Sequence, residues 1–190
     1  MALGEFGGLS SRAEEVEVTA VKCLNVRAPH GSPGNWWEIS AALVVKPTAG
    51  SIGQMVGRVR VGCLVGFELP ALAGGERRLE HFRAEVECVA LDAGRADVRF
   101  YLPPELVKRY QLHAEPKYWG LELSVGGKPL PALKSAYSAN LVAAEQRKNF
   151  QTRGAVLAAP NDGVLLPQFL TPFVYEYPRA TPSFVRREAK

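Results

Sequence analysis

Apolar residues recur at every second position through one stretch of this chain after another. That period commits those stretches to pleated strands with one dry face and one wet face. Trp37, Ile39, Ala41, Leu43 and Val45 alternate with Glu38, Ser40, Ala42, Val44 and Lys46. Val59, Val61, Cys63, Val65 and Phe67 alternate with Arg58, Arg60, Gly62, Leu64 and Gly66. Phe82, Ala84, Val86, Cys88 and Ala90 interleave with His81, Arg83, Glu85, Glu87 and Val89. Shorter sets follow: Ala96, Val98 and Phe100 against Arg95, Asp97, Arg99 and Tyr101, then Trp119, Leu121, Leu123 and Val125 against Tyr118, Gly120, Glu122 and Ser124. An earlier strand, from Glu15 to Val26, slips part-way. Val16, Val18 and Ala20 share one face, while Val21 and Cys23 occupy the other. A bulge near Val21, or burial on both sides, accounts for the slip.

Glycine and proline punctuate these strands. Gly74-Gly75 and Asp92-Ala93-Gly94 supply the positive φ that tight hairpin loops demand. Pro103-Pro104 stops a strand, since proline has no N–H for the ladder, and Pro104 can open a short helix over Glu105 to Tyr110. Helix between strands is confined to that one crossover, so parallel βαβ units are excluded. The expected fold is mainly β, an antiparallel β-sandwich. In architecture it resembles immunoglobulin-like sandwiches, without the Cys…Trp…Cys order that marks antibody domains.

After Pro131 the texture changes. Tyr137, Leu141, Ala144 and Lys148 stand at helical spacing, predicting a helix over 135–153 with Gly154 as its C-cap. Pro160-Asn161-Asp162-Gly163 then reads as a turn between two short apolar runs, 155–159 and 164–166. Phe169, Phe173, Tyr175 and Tyr177 need a surface to bury against. The expected organisation is a flexible N-terminus over 1–14 and a sandwich over 15–130. A helix-plus-hairpin extension over 131–177 packs on the sandwich, and a disordered basic tail spans 178–190.

Hydrophobic residues make up 47% of the 190 and charged residues 22%, which suits one domain with a real core. No apolar run approaches the roughly 18 residues that span a bilayer. The net charge is +4, and the last thirteen residues hold +3 of it, with Arg179, Arg186, Arg187 and Lys190 against Glu188. A nearly neutral body argues against a nucleic-acid partner, which calls for basic residues clustered on one face. The glycine-rich start lacks a signal-peptide pattern. The expected compartment is cytoplasmic if Met1 is the native start, and periplasmic or extracellular if a signal peptide was removed.

Three cysteines, Cys23, Cys63 and Cys88, are too few and too odd for a disulfide framework. They are expected as buried thiols, with a Cys63–Cys88 bridge between neighbouring strands as the alternative. Parity also predicts register. The Val59–Phe67 strand should pair with the Phe82–Ala90 strand so that Val65 faces Phe82 and Arg60 faces Glu87. The next hairpin should set Cys88 opposite Val98, and Glu87 opposite Arg99. Glu85 and Glu87 then form a structural charge ladder with arginines rather than a glycosidase pair, because arginine lowers a carboxyl pKa where a general acid needs it raised.

No nucleotide-binding loop, nucleophile elbow or metal-ligand spacing is present, and His30, His81 and His113 are far apart. The reading is therefore that no cofactor, metal or catalytic residue is specified. Three aromatics on outward strand positions, Trp36, Tyr101 and Tyr118, are the candidate binding residues. They either stack on a ligand or lie beneath the C-terminal extension. The expected function is a non-catalytic binding or structural module for a protein partner or assembly. The alternatives are a carbohydrate-binding module using those aromatics and a hydrolase with a loop-built site.

Overall fold

The computed structural model describes residues 15–48, 51–71 and 75–186. The N-terminus 1–14, Gly74, and the last four residues of the expected basic tail lie outside the described residues. Two four-stranded antiparallel sheets face each other. The first runs in the order β1 (Glu15–Arg27), β2 (Asn35–Lys46), β5 (Gly94–Leu102), β8 (Leu166–Pro167). The second runs β4 (Leu79–Asp92), β3 (Met55–Glu68), β6 (Tyr118–Val125), β7 (Lys128–Pro129). A short helix, α1 (Pro104–Arg109), opens with Pro104 as expected, and a longer one, α2 (Ala144–Ala158), follows the last long strand. No helix among the described residues is long and apolar enough to cross a membrane.

The alternating residues build the core between the sheets. Ile39, Ala41 and Leu43 of β2 meet Val59, Val61 and Val65 of β3, all fully buried with Phe82, Cys88, Val98 and Phe100. An aromatic chain crosses one end, Trp37 to Phe67 at 5.8 Å and Phe67 to Phe82 at 6.2 Å, reaching Tyr110 beyond α1 at 6.0 Å. The Trp37 indole N–H donates to the Leu112 carbonyl at 2.9 Å, tying the segment after α1 to this end. In β1 the register shifts between Val18 and Ala20, so the bulge lies at Thr19, slightly earlier than the pattern suggested. Beyond it the inward role passes to Cys23, which is buried, while Leu24 turns to solvent.

The β3–β4 register is the expected one among those that parity allows, with Val65 opposite Phe82 and Arg60 opposite Glu87. The expected β4–β5 hairpin is a correction. β5 pairs with β2, placing Arg99 opposite Ser40, and Cys88 does not pair with Val98. Only Ala93 separates the two strands, and Gly94 takes φ +111°. Such a link is too short for a two-residue hairpin, and the chain instead turns a corner from one sheet to the other. Glu87 consequently lies between Arg58 and Arg60, with Arg60 Nη2 at 3.7 Å, and Arg99 is on the other sheet. The alternative Cys63–Cys88 bridge is also corrected. Cys63 pairs with Ala84 and Cys88 with Val59, and all three thiols are free and buried.

The C-terminal third departs most from expectation. The helix spans 144–158 rather than 135–153. Tyr137 instead bridges to Gly120, and the Ser138 N–H donates to the Trp119 carbonyl at 2.9 Å, so the β6 backbone holds this stretch extended. Helix begins where the Gln146 side chain accepts from the Ala143 N–H at 3.0 Å. No hairpin forms over 155–166, because 155–158 belongs to α2 and Leu166–Pro167 pairs with β5. Nor is the segment from Pro178 to Arg186 a disordered tail. The Asp97 N–H donates to the Ala180 carbonyl at 2.8 Å, the Val89 N–H to Ser183 at 2.9 Å, and the Val185 N–H to Glu87 at 2.7 Å. From Leu166 to Val185 the chain is thus a strap that runs from the edge of β5 to the edge of β4. Both edges would otherwise present unpaired peptide groups, and covering them satisfies those groups and blocks edge-to-edge association.

Candidate functional site

The three sequence candidates do not form one platform. Trp36 and Tyr101 belong to the outer face of the first sheet, and Tyr118 to the outer face of the second. Tyr101 is fully buried and Trp36 nearly so. Phe173 of the strap stacks on Tyr101 with ring centroids 4.2 Å apart, and Trp36 meets Phe173 edge-on at 5.8 Å. Tyr118 is half-buried beside Phe150 of α2 at 5.9 Å. The extension needed apolar surface, and Trp36 and Tyr101 supply it.

The same covered face holds a buried ionic group that the sequence did not announce. Arg99 reaches Asp97 at 3.0 Å and Glu38 at 3.8 Å, with all three side chains at most a tenth exposed. The Tyr101 hydroxyl donates to Glu38 Oε2 at 2.8 Å. Burial and the adjoining Glu38 carboxylate push the Tyr101 pKa far above the usual phenol range. Tyr177 closes the group from the strap side, its ring 4.0 Å from the Arg99 guanidinium carbon. Reaching that position puts Tyr177 in the left-handed region at φ +58°. Gln168, almost wholly buried, donates to the carbonyls of Phe173 and Glu176 at 2.9 Å each and organises the strap backbone. These groups lock the strap. Arg99, Asp97 and Glu38 pair with one another inside the fold.

The outer face of the second sheet is different, because α2 covers only part of it. Gly66 and Gly120 lie where α2 and its approach segment cross. A side chain at Gly120 would begin 2.9 Å from the Tyr137 ring and 2.8 Å from Gln151 Nε2. Phe150, Gln151 and Gly154 are the residues α2 sets down on this floor. Gly120→Val is therefore expected to cost about 1–3 kcal/mol by overpacking a well-filled contact. Urea denaturation of the variant beside wild type measures that cost. A loss below about 0.5 kcal/mol, the level of an ordinary surface change, would mean that the contact is loose.

Beyond α2 the face is open and charged. Arg60, Gly62, Glu85, Glu122 and Ser124 come from three adjacent strands, with Gly62 opposite Glu85 on one side and Glu122 on the other. The missing side chain leaves a depression between two carboxylates. Two hollows, of about 320 and 350 Å³, share Gly62, Glu85 and Glu122 in their walls. Arg83, Gln151 and Asp162 line the second, and Tyr137 and the 129–133 stretch line the first. Glu85 is paired with Arg60 at 3.4 Å, and Asp162 with Arg83 at 3.2 Å. Partial burial, and then the charge of Glu85, raise the Glu122 carboxyl above its ordinary pKa. Such a surface can receive polar or charged side chains through ionic contacts and hydrogen bonds. Because Glu85 and Glu87 are both held by arginine, they form the ladder expected of them, although Arg58 takes the place assigned to Arg99.

The cysteines offer no nucleophile. Burial pushes Cys23 and Cys88 up to about 12 and Cys63 well above the ordinary thiol range, so the reactive thiolate is scarce.

No family model matches the sequence, and no curated protein matches it. Among solved structures, a crystal structure from Akkermansia muciniphila superposes with a TM-score of 0.70 over 93% of this chain and 95% of that one. The chain shares that protein's fold. Sequence identity is 17%, so the likeness shows the fold and carries no activity.

Proposed function

We propose that this chain is a non-catalytic binding or structural module that engages a protein partner through the outer face of its second sheet. The observation that carries this reading is the glycine-floored depression between Glu85 and Glu122, continuous with Arg60 and left open by α2. Mixed charge around a shallow hollow suits partner side chains that must be both oriented and selected by sign. The strand order supports an immunoglobulin-like style. β1-β2-β5 and β3-β6-β7 follow the ABE and CFG cores of that arrangement, with β4 moved to the edge beside β3. A carbohydrate platform has less support, because its three aromatics are split between two sheets and two of them are buried.

Gly62 offers a clean test. A Cβ there finds its nearest neighbour at 3.8 Å, an ordinary contact, so a side chain can fill the hollow without disturbing the fold. A photo-crosslinking residue at Ser124 is expected to capture a discrete protein from native extract, and unlabelled wild type competes for it. Gly62→Leu and Arg60→Glu, both folded, are expected to compete poorly. If they compete as well as wild type, or if Ser124 yields no more product than a probe at Lys22 on the other sheet, the assignment of this face fails.

A further inference from the structure

His81 lies on β4 directly beneath α2, and its side chain is almost completely covered. The ring faces Gly66 of β3 and Gly154 of α2, where added Cβ atoms would stand 3.4 and 3.5 Å away. Phe150 of α2 lies 6.2 Å away, centroid to centroid. Leu64, itself buried, touches the same Gly154. These contacts are apolar, and an imidazolium placed among them loses its hydration. The interface can avoid that loss only by parting, since the two glycines already bring helix and sheet as close as side chains permit.

We propose that His81 is a pH-sensitive latch: protonating its ring in mildly acidic solution releases α2 from the second sheet and uncovers that sheet's outer face around Gly66. The inference stands apart from the identity of any partner, because it concerns only whether the helix stays docked.

The charged groups around the ring do not cancel the effect. Glu80, its neighbour on β4, favours the protonated form, but its carboxylate already accepts from Asn161 Nδ2 at 2.7 Å. Asn161, on the turn after α2, also donates to the His81 carbonyl at 2.9 Å, holding the backbone and not the ring. Arg83 and Asp162 pair with each other at 3.2 Å. From α2 the facing residues are Phe150 and Gly154, and from β3 they are Gly66 and Leu64, none of them ionisable. Burial is the largest influence, and it holds the His81 pKa below the ordinary histidine range. The sign follows. With α2 released the ring is hydrated and titrates near its ordinary value of about 6.5. The docked state therefore keeps this stabilisation above that pH and loses it as the pH falls toward the lower, docked-state pKa.

The test is hydrogen exchange of the full chain at about pH 7.5 and about pH 5, corrected for intrinsic rates, on wild type and His81→Phe. In wild type, amides of 145–158 are expected to lose protection selectively at the acid pH while those of β2 keep theirs. In His81→Phe, which packs but cannot protonate, α2 protection is expected to be equal at both. Unchanged α2 protection in wild type, or the same acid loss in His81→Phe, overturns the proposal. Should that variant fail to fold, an NMR titration of wild type decides. The α2 amide shifts must follow the His81 imidazole through one common midpoint, and separate midpoints refute the latch.

Discussion

Arg99→Ala is expected to destabilise the protein by about 3–5 kcal/mol, the usual cost of removing one partner from a buried ionic group. The loss stems from what remains. Glu38 and Asp97 stay buried, and only the Tyr101 hydroxyl and the exposed Arg95 are left to hold them. Tyr177 also loses the cation beneath its ring, and the Thr181 hydroxyl loses a weak contact at 3.5 Å. The strap should loosen before the sandwich melts, because beside the Phe173 ring on Trp36 and Tyr101 its other anchors are single backbone bonds at Asp97, Val89 and Glu87 and the short β8 pairing. Denaturant titration reads the total cost, and limited proteolysis between 170 and 186 reads strap release. Replacing the three charges together, as in Arg99→Met with Glu38→Gln and Asp97→Asn, should recover much of the loss, since uncharged groups carry no comparable desolvation penalty. A single variant within about 1 kcal/mol of wild type, as for an exposed pair, would show that the cluster does not lock the strap.

Phe82→Ala is expected to cost a similar amount, about 3–5 kcal/mol, by a different route. Phe82 is fully buried opposite Val65, between Phe67 and Tyr110. Its ring belongs to the aromatic chain that joins both sheets to α1, so truncation leaves a cavity with few flexible neighbours to collapse into it. Val89→Ala, on the same strand but half-exposed, should stay within about 0.5 kcal/mol of wild type. Equal losses for the two would contradict the assignment of inward and outward positions on β4. The midpoints from urea titration, compared at constant slope, settle the difference.

Both predictions draw on features of unequal visibility in the sequence. The inward position of Phe82 follows from alternation alone, whereas the β3–β4 register with its Arg60–Glu87 pairing is one of several that alternation allows. The Arg99 cluster does not follow from it. Its members are spaced like ordinary outward charges, and parity assigned Arg99 to Glu87. A hairpin and a corner between sheets keep the same residues facing inward, so the pattern cannot tell one from the other. The brevity of the Ala93 link was the available signal, because one intervening residue suits a corner better than a hairpin.

The candidate site was legible in a similar fraction. The outward positions of Gly62, Gly66 and Gly120 follow from alternation, but that α2 and its approach segment come down on Gly66 and Gly120 and leave Gly62 open does not. Tyr137 and Leu141 carry helical spacing, yet β6 holds Tyr137 and Ser138 extended, and a turn closed by the Leu141 N–H on the Ser138 carbonyl follows. Gly154 looks like a helix terminator in isolation. In the fold it is the point where α2 meets Leu64 and His81, and the helix continues past it.

Taken alone, the order of residues decided which side chains of β2 to β6 point into the space between the sheets, because the pleat turns successive residues to opposite faces and water separates apolar from charged. It also decided that the strands are antiparallel, since the connections are too short for crossovers. Which strand adopts which neighbour was settled only in three dimensions, as was the fate of the outward aromatics and the path of residues 166–185. Those outcomes depend on backbone groups seeking partners at sheet edges and on surfaces brought together from distant parts of the chain, and local periodicity carries no record of either.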